Sequence, residues 1–352
     1  VMETKVLGRK TISLAFLPGE VVDDEGELKS DFNGFVYPSV FDKKSTFQTL
    51  GQDESPVLEI DLQKSLLFKG KSTVSNGQFT FSFVVPKDIN YSYGAGKVSL
   101  YAEGNTDVEV FTDAAGYNLD IVIGGTADDY EDDIDGPEVE LFMNDTNFVY
   151  GGLTDESPSL LAVLFDDNGI NTVGNGIGHD MVAVLDEASN NPIVLNDFYE
   201  SDADSYQSGK VLYPFAMLLE GNHTLRVKVW DVFNNSAEGY TEFLVSESEN
   251  LSVQNLLNYP NPMVDYTEFY FEHNQAGEVL EVTLEIVSSM GQVVKVIQEN
   301  VTPNGYRYGP ISWNGDGQQG SRLASGFYVY RLLAKAADGE ILENSGRLVI
   351  TK

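Results

Sequence analysis

Gln78-Phe79-Thr80-Phe81-Ser82-Phe83-Val84-Val85 decides the fold, with an apolar residue at every second place and Gln78, Thr80 and Ser82 between them. Period two is the spacing of a β-strand with one buried face, and three phenylalanines on that face require an apolar layer opposite. Ser75-Asn76-Gly77 just before it is hairpin chemistry, because Asn and Gly accept the left-handed backbone of a tight reversal. Outward from this stretch the alternation returns in Ile12, Leu14 and Phe16, in Val98, Leu100 and Ala102, in Val108 and Val110, and in Leu119, Ile121 and Ile123. Turn residues such as Tyr93-Gly94-Ala95-Gly96 and Ala115-Gly116 separate these runs, which is the rhythm of an antiparallel sandwich.

A Gly- and Asp-rich break at 124–137 closes a first domain, expected over residues 1–125. Strand signals resume at Val139 and Leu141, the continuous Leu160 to Phe165, Met181 to Leu185, Leu225, Val227 and Val229, and Thr241 to Val245, giving a second domain over 126–250. The polar linker Ser246-Glu247-Ser248-Glu249-Asn250 leads to a third, over 251–352, with Phe269 and Phe271, Val282, Leu284 and Ile286, Val293, Val294 and Val296, Tyr328, Tyr330 and Leu332, and Arg347 to Ile350. The helix candidate is Tyr213 to Leu219, limited to about two turns by Pro214 and Gly221. No βαβ unit and no alignable repeat is visible, so the expected fold class is all-β, three tandem antiparallel Ig-like β-sandwich domains.

Of the 352 residues 21 are basic and 55 acidic, a formal charge of −34 that falls as −7, −23 and −4 on residues 1–125, 126–250 and 251–352. Such a chain repels a phosphate backbone, so nucleic acid is excluded as a partner. It suits cations, a basic partner or plain solubility. With no cysteine there is no disulfide, thiolate metal site or cysteine nucleophile, and His179, His223 and His273 are too dispersed for a multi-histidine centre. The longest apolar run, Leu160 to Phe165, is far short of the ~20 residues of a membrane-spanning helix. Val1-Met2-Glu3-Thr4-Lys5 lacks the pattern of a secretory signal, so the N-terminus is expected to be an internal cut.

Asp166 to Asp180 packs oxygen ligands between two strand signals, and Asp166, Asp167, Asn168, Asn171 and Asp180 are the candidate metal ligands, for calcium. Calcium takes six to eight oxygens from carboxylates, carboxamides and carbonyls, and glycines let the backbone wrap the ion. The spacing is not that of the helix-loop-helix calcium loop, since its closing glutamate position holds Ile177. The competing reading is a loop whose Asp and Asn side chains bond their own turns. Asp128 to Asp135 holds five aspartates and reads either as a second ion site or as a solvated linker. A carboxylate-pair glycosidase would need two acids across a cleft, and the sequence does not select a pair. No Gly-x-Ser-x-Gly elbow is present.

The most specific pattern lies at the C-terminal end. It runs Leu257-Asn258-Tyr259-Pro260-Asn261-Pro262, then Val282-Thr283-Leu284-Glu285-Ile286, Ser289-Met290-Gly291-Gln292-Val293-Val294 and Ser312-Trp313-Asn314-Gly315. Leu323-Ala324-Ser325-Gly326-Phe327-Tyr328-Val329-Tyr330-Arg331 and Arg347-Leu348-Val349-Ile350-Thr351-Lys352 complete it. The prolines hold an extended approach, Gly291 and Gly326 are expected to supply tight turns, and Trp313 and Tyr328 to fill the core. This order resembles the C-terminal sorting domain of the type IX secretion system, related to the Ig-like domain of flagellar hook-capping proteins. The resemblance implies sorting or docking roles for Tyr259, Pro260, Asn261, Pro262, Gly291, Trp313, Gly326, Tyr328 and Lys352. The C-terminal strand and Lys352 would be the contact.

Upstream, Asp31-Phe32-Asn33-Gly34-Phe35-Val36-Tyr37-Pro38, Leu67-Phe68-Lys69-Gly70-Lys71, Phe83-Val84-Val85-Pro86-Lys87-Asp88-Ile89, Gly176-Ile177-Gly178-His179-Asp180 and Trp230-Asp231-Val232-Phe233-Asn234-Asn235 are similar to the region after the peptidase domain in the gingipain-like cell-surface sortases of that system. The resemblance implies an N-terminal cysteine peptidase domain as neighbour and a cell-surface, outer-membrane location. It implies type IX machinery and outer-membrane attachment proteins as partners. Without a cysteine no catalytic residue carries over, so the chain itself is expected not to be an enzyme. The alternative is a secreted carbohydrate- or adhesion-binding module that depends on calcium, and an enzyme acting through carboxylates stands third.

Overall fold

A computed structural model describes residues 2–4, 9–11, 14–51, 56–87, 89, 91–104, 112–126, 132–172, 178–188, 190–248 and 250–351. The chain is all-β and built from antiparallel sandwiches, as its alternation requires. Among the described residues the one helical element is a 3-10 turn, Asn196–Phe198. The chain gathers into two compact units, residues 1–140, 162–212 and 226–239 in one, and 141–161, 213–225 and 240–352 in the other.

In the first unit the deciding stretch is the strand Gln78–Val84, paired antiparallel with Leu14–Val21. The opposing sheet runs Asp113–Asn118, Lys97–Gly104, Gly34–Phe41, Leu66–Lys69, and Ser72–Val74 also pairs with Gly34–Phe41. Phe79, Phe81 and Phe83 point into the same core as Val36, Val40, Val98, Leu100 and Ala102, all nearly fully buried. Phe68 stacks between the layers, 4.8 Å from the Phe83 ring centroid and 6.2 Å from that of Phe81.

One strand shows the opposite face to that expected. Leu14 and Phe16 are 41% and 57% exposed, while Ala15, Leu17 and Val21 are buried. The start of Leu14–Val21 is apolar on both faces, so alternation alone cannot choose. Pro18 and Glu20 fix the outer face, and Gly19 lies under the Phe79 ring, where a Cβ would come within 2.2 Å of Phe79 Cζ. Leu119 is likewise 51% exposed, beyond the end of Asp113–Asn118, while Ile121 and Ile123 are buried. Ile12, Val108 and Val110 lie outside the described residues.

Two sheets use the middle third of the sequence. One orders Glu138–Met143, Ser159–Phe165, Ser208–Pro214, Tyr199–Ser201; the other orders Gly152–Thr154, Ser236–Val245, Gly221–Trp230, Val182–Leu185, Ile193–Val194. Tyr213 to Leu219 is not a helix. Tyr213 and Pro214 end a strand, and the amides of Phe215 and Leu218 donate to Pro158 and Glu156 carbonyls, both at 2.8 Å. Those donors are therefore lost to any helical ladder, and Met217 sits at φ 53°.

The second unit contains the C-terminal sandwich. Val253–Tyr259, Thr267–His273 and Arg307–Trp313 form one sheet, and Val293–Val301, Leu280–Ser288, Gly326–Ala336 and Ile341–Ile350 the other. Phe269, Phe271, Val282, Leu284, Ile286, Trp313, Tyr330, Leu332, Leu348 and Ile350 fill its core. Tyr328 packs at the margin of this core rather than inside it. Gly291 makes the expected reversal, at φ 79°, but Gly326 is the first residue of a strand, paired with Ile350. The polar segment before this sandwich is pinned down. Ser248 donates from its amide and hydroxyl to Glu156 at 2.8 and 2.7 Å, Asn274 Nδ2 to the carbonyls of Glu247 and Asn250 at 2.8 Å, and Gln275 Nε2 to that of Ser248 at 2.8 Å.

Candidate cation site

Three loops of the first unit bring carboxylates together. Asp166 follows the strand Ser159–Phe165, and its Oδ1 accepts from the amides of Asn168 and Gly169, both at 2.8 Å. Gly169, at φ 113° with the Tyr206 side chain against it, turns the chain so that its carbonyl accepts from Val232 N at 3.0 Å and Asn171 N reaches the Trp230 carbonyl at 2.9 Å. That pairing delivers Asp231, at the end of Gly221–Trp230, beside Asp166. Asp231 Oδ1 accepts from Phe233 N at 2.9 Å and Asn235 N at 2.7 Å, and its Oδ2 from Asn235 Nδ2 at 2.8 Å. Asp133 joins from the Asp-rich break, where Asn168 Nδ2 donates to its Oδ2 at 2.8 Å and Asn235 Nδ2 to its carbonyl at 3.0 Å.

One carboxylate oxygen from each of Asp133, Asp166 and Asp231 lies within 4.8 Å of the other two. One calcium with bonds of about 2.4 Å spans such separations. Asp166 and Asp231 are buried, 6% and 0% exposed. Burial, opposed by the backbone N–H bonds and assisted by the charges of Asp231 and Asp133, pushes the Asp166 carboxyl up to about 6. Asp231 is raised too, by burial first and Asp133 last. Like charges held in a dry pocket cost free energy that a divalent cation repays.

Of the ligands expected from sequence, Asp166 and Asn168 lie in this cluster. Asp167 is exposed and offers its carbonyl to Gln207 at 2.6 Å. Asn171 is buried beside Trp230, and Asp180 is half-buried outside the three-carboxylate group. Residues 173–177 lie outside the described residues, as do 128–131 of the Asp-rich stretch. Asp231 escaped the sequence reading as a ligand, and so did Asn235, whose side-chain amide braces Asp231 and the Asp133 carbonyl. Their signal was an aspartate closing a strand just before an Asn-Asn turn, far along the chain from the other two loops.

The C-terminal motif residues have separate jobs. Asn261 behaves as a one-residue strand: its Nδ2 donates to the Arg347 carbonyl at 2.7 Å and its Oδ1 accepts from Val349 N at 3.1 Å. Met263 continues the pairing, its amide on the Val349 carbonyl at 2.8 Å. Thr267 Oγ1 donates to the Pro260 carbonyl at 2.9 Å and accepts from Asn258 at 2.9 Å. Pro260 and Pro262 both follow cis peptide bonds. Tyr259 stands 73% exposed above this clasp. Trp313 is buried with its Nε1 on the Asp316 carbonyl at 2.9 Å, and Tyr328 donates to the Ala324 carbonyl at 2.9 Å. Lys352 lies outside the described residues.

The chain is similar to PorU of Porphyromonas gingivalis. The crystal structure of dimeric latent PorU shares 28% identity with 99% of this chain, at a TM-score of 0.44. The chain spans about a third of PorU, 32% of its length. The fibronectin(III)-like modules of Clostridium thermocellum CbhA match 61% of the chain and 94% of their own at 12% identity and a TM-score of 0.23. Bacteroides ovatus SGBP-B, solved with a mixed-linkage heptasaccharide, matches 92% of the chain and 64% of its own at 12% identity and a TM-score of 0.28. No family model and no curated protein matches the chain.

Proposed function

We propose that the chain is the non-catalytic C-terminal β-region of a gingipain-like surface peptidase, with sandwiches at 1–125, 126–250 and 251–352. Its last sandwich directs export by the type IX secretion system and docks at the outer membrane. The parent would process secreted cargo with a cysteine peptidase domain that this cysteine-free chain does not include. The observation that carries the reading is the ordered motif set of residues 256–352, whose Tyr259-Pro260-Asn261-Pro262 segment clasps the C-terminal strand instead of standing apart as a linker.

Deleting residues 340–352 from the full-length parent is expected to abolish surface display. That deletion also removes the core strand Ile341–Ile350, so a second arm leaves that strand whole and combines Tyr259→Ala, a change at an exposed ring, with loss of Lys352. Full display of both variants would sink the reading.

A second reading, a secreted adhesion- or carbohydrate-binding module that uses calcium, is favoured by the convergence of Asp133, Asp166 and Asp231. Calcium at about a hundred times its Kd is expected to raise the melting temperature by about 5 to 10 °C over EDTA. The Asp231→Asn variant, which keeps both backbone acceptor contacts, should lose that rise. An unchanged melt in the unaltered protein would leave these acids as a buried cluster satisfied by the hydrogen bonds of its own turns.

A further inference from the structure

A pocket of about 300 Å³ in the first unit is built from chemistry that the sorting reading leaves unused. Its walls are Tyr37, Lys69 and Lys71 on one side and Asp197, Phe198 and Ser201 on the other. The two sides are fixed together. Lys71 pairs with Glu200 at 2.9 Å, Asp204 N donates to the Lys71 carbonyl at 2.9 Å, and the Asp204 carboxylate accepts from the Thr73 amide and hydroxyl at 2.8 and 2.7 Å. The pocket is therefore preformed.

Its polar groups divide into engaged and available. The Tyr37 hydroxyl donates to Glu103, and Tyr199 to the Ser208 carbonyl at 3.3 Å. Ser201 is only 6% exposed, yet among the described residues its hydroxyl has no hydrogen-bond partner. A buried hydroxyl left unpaired is unfavourable, and a ligand atom in the pocket would satisfy it. Lys69 is exposed, and among the described residues its ammonium forms no ion pair. Lys69, Lys71 and Lys210 together hold the Glu200 carboxyl low, Lys71 foremost. Three lysines at one place are unusual in a chain of net charge −34 with 21 basic residues in all.

The geometry points to a binding site for a monosaccharide ring bearing one carboxylate. Lys69 faces the carboxylate, Ser201 and Asp197 take ring hydroxyls, and the half-exposed rings of Tyr37 and Phe198 cover the C–H face of the sugar. The volume suits one ring and not an extended peptide, since ligand pockets begin near about 300 Å³. A single negative charge fits because Asp197 and Glu200 stand on the same rim; a dianionic phosphate meets two carboxylates for each free ammonium. The site does not depend on the role of residues 256–352.

The test titrates the whole chain with glucuronate, glucose and glucose 6-phosphate, followed by calorimetry and by chemical shifts. Saturable binding of glucuronate in preference to both others is expected. Lys69→Gln, a change at an exposed head group, should weaken it about tenfold or more, and Ser201→Ala several-fold, with unchanged melting of Lys69→Gln as the folding control. No saturable binding of glucuronate overturns the proposal. So does glucose binding equally well, which would mean the charge is not read, or the phosphate binding more tightly. Glucuronate affinity unaltered in both variants would place the sugar elsewhere and overturn it as well.

Discussion

Asp166 and His273 respond to acid in opposite senses. Asp166, pushed up to about 6 from the ordinary 3.8, holds a proton between those two values in the folded chain that an unfolded aspartate has released. Cation-free protein therefore gains stability from this group as pH falls through about 6, and loses that gain as pH rises. His273 is fully buried, its Nδ1 accepts from Gln275 N at 3.2 Å, and among the described residues its Nε2 has no partner. Burial pushes it down to about 4 from 6.5, so its contribution is lost as pH falls through that window. Denaturant unfolding in EDTA should show Asp166→Asn losing more stability than the unaltered protein between neutral pH and about pH 5, and saturating calcium should abolish the difference. Parallel pH profiles would refute the cluster's electrostatics. Asp166 was legible in sequence because its glycine-rich loop advertises a turn. Asp231 was not, since only the pairing of 169–171 with 230–232 brings it close.

At the scale of strands, alternation was a sound guide wherever one face was plainly polar. Val98, Leu100 and Ala102, or Leu225, Val227 and Val229 against Arg226, Lys228 and Trp230, lie buried as their spacing demands. Leu14–Val21 failed the same logic because Gly19, a residue without hydrophobicity, marks its inner face. The ring of Phe79 fills the space that Gly19 leaves. Gly19→Ala is expected to cost about 1–3 kcal/mol by overpacking, and Phe79→Leu in the same chain should recover part of the loss. Additive losses in the double variant would show that the two sites do not share that space. Tyr213 to Leu219 stood as a two-turn helix candidate bounded by Pro214 and Gly221; the competing backbone acceptors at Glu156 and Pro158 cannot be seen in a local window.

For the molecule as a whole the charge is the dominant long-range force. A surplus of −23 in residues 126–250 repels itself over about 10 Å at 0.1 M salt. Thermal unfolding in EDTA should therefore move to higher temperature as sodium chloride rises from low to physiological strength, and by less once calcium is present. A melt indifferent to salt would mean that the acids are already neutralised by their own protons or turns. The fold class was legible because strand spacing is local. In the acidic middle third the sequence could not choose between ion ligands and solvated acids, because three of its carboxylates converge only after the 97 residues between Asp133 and Asp231 have folded.

The turn at Asn168-Gly169 also bears on how the protein ages. An asparagine before glycine loses its amide when the glycine nitrogen attacks the side chain, and here the product would be a fourth acid beside Asp133. In the folded chain the Gly169 amide is already committed to Asp166 at 2.8 Å, and the Asn168 amide group to Asp133 at 2.8 Å. Chemical lifetime at this position thus follows the closed state of the turn, and whatever keeps the three loops together also slows the clock.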